Sequence, residues 1–304
     1  MSCHVSVMPD EIVQWLRPEN GGVIFDGPFG AGGHSIPIAR RMAVGGAVLA
    51  VDRDPAAVQI GTDMLAGDPE LRDLPIDLYC GSYHHLDRVL AAAGRPAVDG
   101  VVLDLGLSSD QLADRQRGFS FTGDGYLDLR FDPSAGQTAA EFLAVAGEQE
   151  IADTIYRFGE ERFSRRIAKQ VVLRRKQRQP VREVADLVEI CRRCVPRSKN
   201  HDIHPATRTF QALRIAVNQE LTILTQALER LPGWINPGGR IAVISFHSLE
   251  DRIVKQAFRD DDRLEVLTRK PLRPGEAEVH SNPRSRSAKL RVAEVRATET
   301  TASR

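Results

Sequence analysis

The sequence predicts a doubly wound α/β domain interrupted by a mainly helical insertion. Short apolar runs that end in acidic residues recur in the first third of the chain, and helical patterns separate them. The alternation stops after Leu107 and resumes only beyond Pro205. Short, nearly continuous apolar runs suit strands buried on both faces, as in a parallel sheet covered by helices.

The elements follow in order. Val23-Ile24-Phe25 leads into Asp26 and a glycine-rich turn, and a helix is expected from about His34 to Met42. Ala47–Val51 is the second buried run, ended by Asp52. Third and fourth strands are expected at Ile76–Tyr79 and at Val101–Asp104. From Ser108 to about Pro205 the pattern changes. A Gly-, Asp- and Phe-rich loop (Arg117 to Pro133) precedes helical, Arg-rich sequence. Phe210, Leu213, Val217, Leu221, Leu224, Leu228 and Leu231 then recur every three or four residues, which predicts one long amphipathic helix. Pro205 is expected in its first turn and Pro232-Gly233 at its end. A fifth strand is expected at Ile241–Ile244. Ser248 and Asp251 form a capping-box pattern for the next helix, and two more strands are expected at Leu264–Leu267 and Lys289–Arg296. The expected organisation is residues 1–108 for the first part of the α/β domain, 109–205 for the insertion and 206–304 for the second part.

A chain of 304 residues with 42 % apolar and 27 % charged residues buries a sizeable core. It contains no apolar run long enough for a membrane span, and its first ten residues do not read as a secretory signal. Four cysteines make no disulfide framework, so the expected compartment is the cytoplasm. With 41 basic and 41 acidic residues, any nucleic-acid surface must be local. From Arg162 to Arg182 there are nine Arg or Lys residues and no acid. In that run Arg165, Arg166, Lys169, Arg174, Arg175 and Lys176 are candidates for binding phosphate, and a plain solvated helix face is the alternative.

The turn from Asp26 to His34 follows a strand and opens a helix. Its glycines let backbone approach a ligand closely, and in an open α/β sheet ligands bind at these carboxyl ends. Asp52, ending the second strand, is placed to accept hydrogen bonds from ribose hydroxyls. Both a dinucleotide and S-adenosylmethionine fit that much. The G-x-G-x-x-G pattern fails, because Ser35 stands in its last place. Asp26 would repel a pyrophosphate but attract a methionine amino group or a sulfonium. The residues therefore favour S-adenosylmethionine. A glycine-rich connection without a ligand is the remaining alternative.

Longer motifs carry a resemblance. They are Gly30-Ala31-Gly32-Gly33-His34-Ser35, Val51–Pro55, Leu103–Ser109 with Gln111-Leu112, Arg117–Phe121, Tyr156–Arg166, His204–Arg214, Ile244–Arg252 and Asn282–Ser287. The chain resembles the bacterial family of ribosomal RNA small-subunit methyltransferase H (MraW), almost from end to end. The resemblance implies a class I S-adenosylmethionine-dependent methyltransferase fold whose helical insertion helps to hold RNA. The implied activity is methylation of the exocyclic N4 of a cytosine in 16S rRNA of the small ribosomal subunit. The family's cofactor-binding positions carry over to Gly32, Gly33, His34, Asp52, Tyr83, Asp104 and Gln111. Two positions depart from the pattern: the family commonly has Thr where Pro28 stands and Phe where Tyr83 stands.

Asp104 ends the fourth strand, beside the expected methyl group, and is the catalytic candidate. An acceptor there would draw on the amino protons of cytosine, whose N4 lone pair is delocalised into the ring. Binding cofactor, or capping nearby backbone, are its other readings. Phe119 or Phe121 could stack on a splayed-out base, or simply anchor their loop. His247 and His204 read more readily as structural. Cys191-x-x-Cys194 with His201-x-x-His204 is too closely spaced for a zinc finger, so buried thiols and no metal are expected. Two other classes remain open: a nicotinamide-dependent oxidoreductase, separable by cofactor binding, and a non-catalytic RNA-binding protein, separable by turnover on RNA.

Overall fold

The structure, a computed structural model, describes residues 6–107, 117–121, 125–196 and 204–297. The chain divides into two compact units, residues 1–108 with 221–304, and residues 109–220.

The first unit is built on a seven-stranded sheet of order β3-β2-β1-β4-β5-β7-β6. Its strands are β1 (Val23–Gly27), β2 (Ala47–Asp52), β3 (Ile76–Cys80), β4 (Val98–Asp104), β5 (Ile235–Ser245), β6 (Leu264–Val266) and β7 (Lys289–Val295). β1 to β5 pair in parallel, and β7 runs antiparallel to both β5 and β6. The class I methyltransferase-type arrangement expected from the sequence is therefore present. The chain winds from β1 outward through β2 to β3, then returns to lay β4 on the other side of β1. That reversal opens a crevice at the carboxyl ends of β1 and β4, where open α/β sheets bind ligands. β1 and β2 are buried at every position, as strands covered on both faces must be. One face packs Phe25, Leu49, Val101 and Leu103 against Leu86, Leu90, Leu224 and Leu228. The other packs Ile24, Val48, Val102 and Ile244 against Ile12, Leu16 and Ile38.

Three sequence expectations are corrected here. The long amphipathic helix is two helices, Thr207–Asn218 and Glu220–Arg230, and Pro205 precedes the first rather than lying in its first turn. Gln219 breaks them with a left-handed backbone (φ 54°). The stripe divides with them: Phe210 and Leu213 are buried in the second unit, Leu224, Leu228 and Leu231 in the core of the first. Continuous spacing of Leu cannot reveal a one-residue turn that keeps the period. The second unit accordingly runs to Glu220, not Pro205. The capping box also shifts by one residue, to His247 and Glu250. Glu250 Oε2 accepts from the N–H groups of Phe246 (2.9 Å) and His247 (3.3 Å), while Asp251 accepts from Lys289 and Arg291 instead.

The second unit contains the helices Ala139–Val145, Glu148–Gly159, Ser164–Lys176, Val184–Cys194 and Thr207–Asn218. Buried Asn218 ties the loop after β4 to it: its Nδ2 donates to Leu129 O (2.7 Å) and its Oδ1 accepts from Phe131 N–H (2.7 Å). Among the described residues no helix is long and apolar enough to cross a membrane.

Candidate active site

β1 delivers Asp26 and Gly27 to the crevice. Asp26 is fully buried, and Ser35 Oγ–H donates to its Oδ2 at 2.5 Å. Its Oδ1 has no partner. Burial pushes this carboxyl up to about 6, against the opposing pull of His34 and the Ser35 hydrogen bond. The turn that follows needs glycine where it bends: Gly30 and Gly32 take φ of 56° and 76°. A Cβ on Gly32 would press on Phe29 and Ile36 at 3.0 Å.

β2 delivers Asp52. Its Oδ2 accepts from Gly30 N–H and its Oδ1 from Asp54 N–H, both at 2.9 Å. Asp52 thus braces the glycine turn while each oxygen keeps a second lone pair for a ligand hydroxyl. Burial raises its carboxyl above the usual range despite those two donors. Asp54 in turn caps the helix Pro55–Gly67, accepting from Ala56 N–H at 3.0 Å.

Tyr83 enters from the turn after β3. Its Cβ would lie 2.8 Å from a Cβ on Gly27, so glycine at the end of β1 is what lets the ring pack there. β4 delivers Asp104. His34 Nε2 lies 3.2 Å from Asp104 Oδ2, and Gly106 N–H donates weakly to Oδ1 at 3.3 Å. His34 is 5 % exposed and Asp104 18 %, so the histidine is walled in and the carboxylate opens on the crevice. Burial works against a charged His34 imidazole, but the hydrogen bond and charge of Asp104, with the charge of Asp26, outweigh it and hold its pKa above the ordinary value. Its Nδ1 is buried without a partner.

The structure therefore gathers Gly32, Gly33, His34, Asp52, Tyr83 and Asp104 at the carboxyl ends of β1 to β4; Gln111 lies outside the described residues. Sequence reasoning missed the pairing of the His34 and Asp104 side chains, and the bond from Ser35 to Asp26. No local signal marks either, because folding alone joins those residues.

The residues fit S-adenosylmethionine. Two buried polar atoms, Asp26 Oδ1 and His34 Nδ1, stand unpartnered beside a left-handed glycine turn. Orphaned groups of this kind are costly unless a ligand answers them. A carboxylate and the spare lone pairs of Asp52 suit an ammonium group and ribose hydroxyls, not a pyrophosphate.

In the second unit, Phe119 is buried and stacks on Phe131 (centroids 5.9 Å apart), which favours the loop-anchor reading for it. Half-buried Phe121 stacks on His204 at 5.1 Å and meets Phe210 edge-on at 4.9 Å. The basic run is split in role. Arg174 pairs with Asp186 and Glu189, and Arg175 donates to the carbonyls of Leu143, Ala144 and Ala146. Those two are structural, whereas Arg165, Lys169 and Lys176 are exposed on the same helix. Cys191 and Cys194 are buried on the inner face of their helix, the Cys191 thiol pushed up to about 12 by burial.

Comparison with known proteins bears on this site. The model of the MraW methylase family matches residues 1–296. A ribosomal RNA small subunit methyltransferase H of Rhodopirellula baltica is 61 % identical over 299 residues, covering 95 % of this chain and 90 % of the relative. The protein of the same name from Synechococcus elongatus is 48 % identical over 294 residues, covering 96 % and 94 %. That from Citrifermentans bemidjiense is 43 % identical over 310 residues, covering 96 % and 98 %.

Proposed function

This chain belongs to the MraW methylase family, and from that premise we propose that it transfers a methyl group to the exocyclic N4 of a cytosine in 16S rRNA of the small ribosomal subunit, in the cytoplasm. S-adenosylmethionine, when bound, supplies an electrophilic methyl group on a sulfonium. The chain's own residues do the rest. Asp26 receives the cofactor's amino group, Asp52 its ribose hydroxyls, and Tyr83 covers its adenine. The turn at Gly32, Gly33 and His34 lets backbone close on it.

The observation that carries the reading is the carboxylate of Asp104 at the end of β4, held from behind by buried His34. Asp104 accepts a hydrogen bond from the cytosine amino group, which draws the N4 lone pair out of the ring. It then takes the proton that the methylated amine releases. His34 is a positioning residue: it fixes the Oδ2 side of the carboxylate and leaves the other side to substrate. In-line displacement at a sulfonium calls mainly for alignment, and the reading includes no metal. Exposed Arg165, Lys169 and Lys176 of the insertion hold RNA phosphates, and Phe121 offers a partly open ring for stacking. Gln111 is assigned to the cofactor on resemblance alone.

Nucleoside mass spectrometry of 16S rRNA from a strain lacking the gene tests the assignment. One cytosine is expected to lose its N4 methyl group. An unchanged nucleoside profile contradicts it.

A further inference from the structure

β4 and β5 run side by side to the carboxyl edge of the sheet, with Asp104 in register with Ile244. The ladder continues past β4, where Leu105 N–H donates to Ile244 O at 3.0 Å. Side chains alternate between the two faces of a strand. Leu103 and Val243 pack on one face of the sheet, Val102 and Ile244 on the other. The alternation holds beyond the strands: Leu105 packs against the first cluster and Phe246 against the second. By the same period Asp104, two residues after Val102, turns to the second face. So does Asp26, two residues after Ile24. Phe246 therefore stands on the face of the sheet that carries both carboxylates.

Gly106 brings that ring close to Asp104. A Cβ on Gly106 would meet Cε2 and Cζ of Phe246 at 2.8 and 3.0 Å, so glycine is what leaves room for the ring. The N–H of the same glycine donates to Asp104 Oδ1 at 3.3 Å. One residue thus touches both the carboxylate and the ring. The backbone of Phe246 is pinned as well, since its N–H donates at 2.9 Å to Oε2 of buried Glu250. Phe246 is half-buried. Part of the side chain packs on the core, and the rest stays open beside a carboxylate that faces the crevice.

We propose that Phe246 is the platform on which the target cytosine stacks while Asp104 receives its amino group. The inference rests on the methyl-transfer reading above and names the side chain that holds the base. A base drawn out of its strand loses its stacking neighbours. An aromatic ring restores one face, and a carboxylate at the edge of that ring takes the exocyclic amine. A base resting on the ring keeps its amine aligned for displacement. Phe121 belongs to the second unit, where His204 and Phe210 already pack on its ring. Phe246 belongs to the same unit as Asp104.

The test uses the full chain, labelled S-adenosylmethionine and small-subunit particles that lack the modification, with kcat and KM for the particles measured separately. Phe246→Leu keeps an apolar side chain against the core and loses the aromatic face. Its kcat is expected to fall about tenfold or more, the scale of one base stack. Its Tm, and its cofactor affinity by calorimetry, are expected to stay near wild type. Phe246→Met, a second apolar side chain without a ring, is expected to match it. Phe246→Tyr keeps the face and is expected to retain most of the rate. A Leu variant that turns over like wild type overturns the proposal. So does a Leu variant as active as the Tyr variant, which marks plain packing, or one that loses cofactor affinity together with rate, which marks a structural role. Phe121→Leu separates the two rings: if it lowers kcat and Phe246→Leu does not, only the platform assignment fails. If the wild-type protein labels no cytosine, the methyl-transfer reading fails with it.

Discussion

His34 Nε2 stands 3.2 Å from Asp104 Oδ2, joining the glycine turn after β1 to the end of β4. The pair spans the crevice at which the strand order reverses, so the residue that lines the cofactor turn also aims the candidate acceptor. Asp104→Ala is expected to lower the methylation rate by two or more orders of magnitude, at least about 2.7 kcal/mol of transition-state stabilisation. Asp104→Asn keeps an acceptor without the charge and should fall between. His34→Gln retains a donor for Asp104 and is expected to keep more of the rate than His34→Phe. Normal turnover in Asp104→Ala removes that residue from the mechanism.

Asp52 braces the glycine turn and is proposed to hold the cofactor ribose, and its variants should show both. On that proposal, removing the carboxylate loses charge-assisted hydrogen bonds to ribose, each worth about 1.5–3 kcal/mol. It also frees the N–H groups of Gly30 and Asp54. Asp52→Ala is therefore expected to weaken S-adenosylmethionine binding at least tenfold and to lower the Tm of the apo protein. Calorimetry showing unchanged affinity would remove the ribose role.

Asp26 makes a pH prediction. Its folded pKa, raised from 3.8 to about 6 chiefly by burial, means that the native state holds its proton over a window where the unfolded state has lost it. Stability therefore falls as pH rises from about 4 to about 6, by up to roughly 3 kcal/mol. Asp26→Asn has no such titration. Its stability relative to wild type should improve by up to that amount between about pH 4 and about pH 8. A difference independent of pH contradicts the assignment. Because a cationic amino group needs the ionised carboxylate, cofactor affinity should also weaken below about pH 6 in the wild type and not in the variant.

Much of this was legible in the sequence. Apolar runs ending in Asp26, Asp52 and Asp104 mark strand ends because a buried strand stops where a carboxylate must reach polar partners. The glycines of the turn mark a left-handed backbone. Less legible were features whose cause lies elsewhere in the fold. Gln219 breaks a helix inside an unbroken Leu period. Glu250 rather than Asp251 closes the capping box, because Lys289 and Arg291 on β7 claim Asp251. The six candidate cations within the basic run look alike in sequence, yet packing commits Arg174 and Arg175 to their own unit.

That division of the basic run is testable. Changing Arg165, Lys169 and Lys176 to Ala together is expected to lower the salt slope of RNA binding by about 0.7 for each phosphate they neutralise, without changing thermal stability. Arg175→Ala strips three carbonyls of their donor. It should destabilise the protein by about 1–3 kcal/mol. If Arg175→Ala is as stable as wild type while the triple variant unfolds, the assignment is reversed.

The central claim is the transfer itself. Its most direct test is incubation of the full chain with methyl-labelled S-adenosylmethionine and small-subunit particles that lack the modification, followed by nucleoside analysis of the 16S rRNA. Label is expected on the N4 amine of a single cytosine, strongly reduced with Asp104→Ala. Label on a ring carbon or a ribose oxygen, or none at all, would contradict the account.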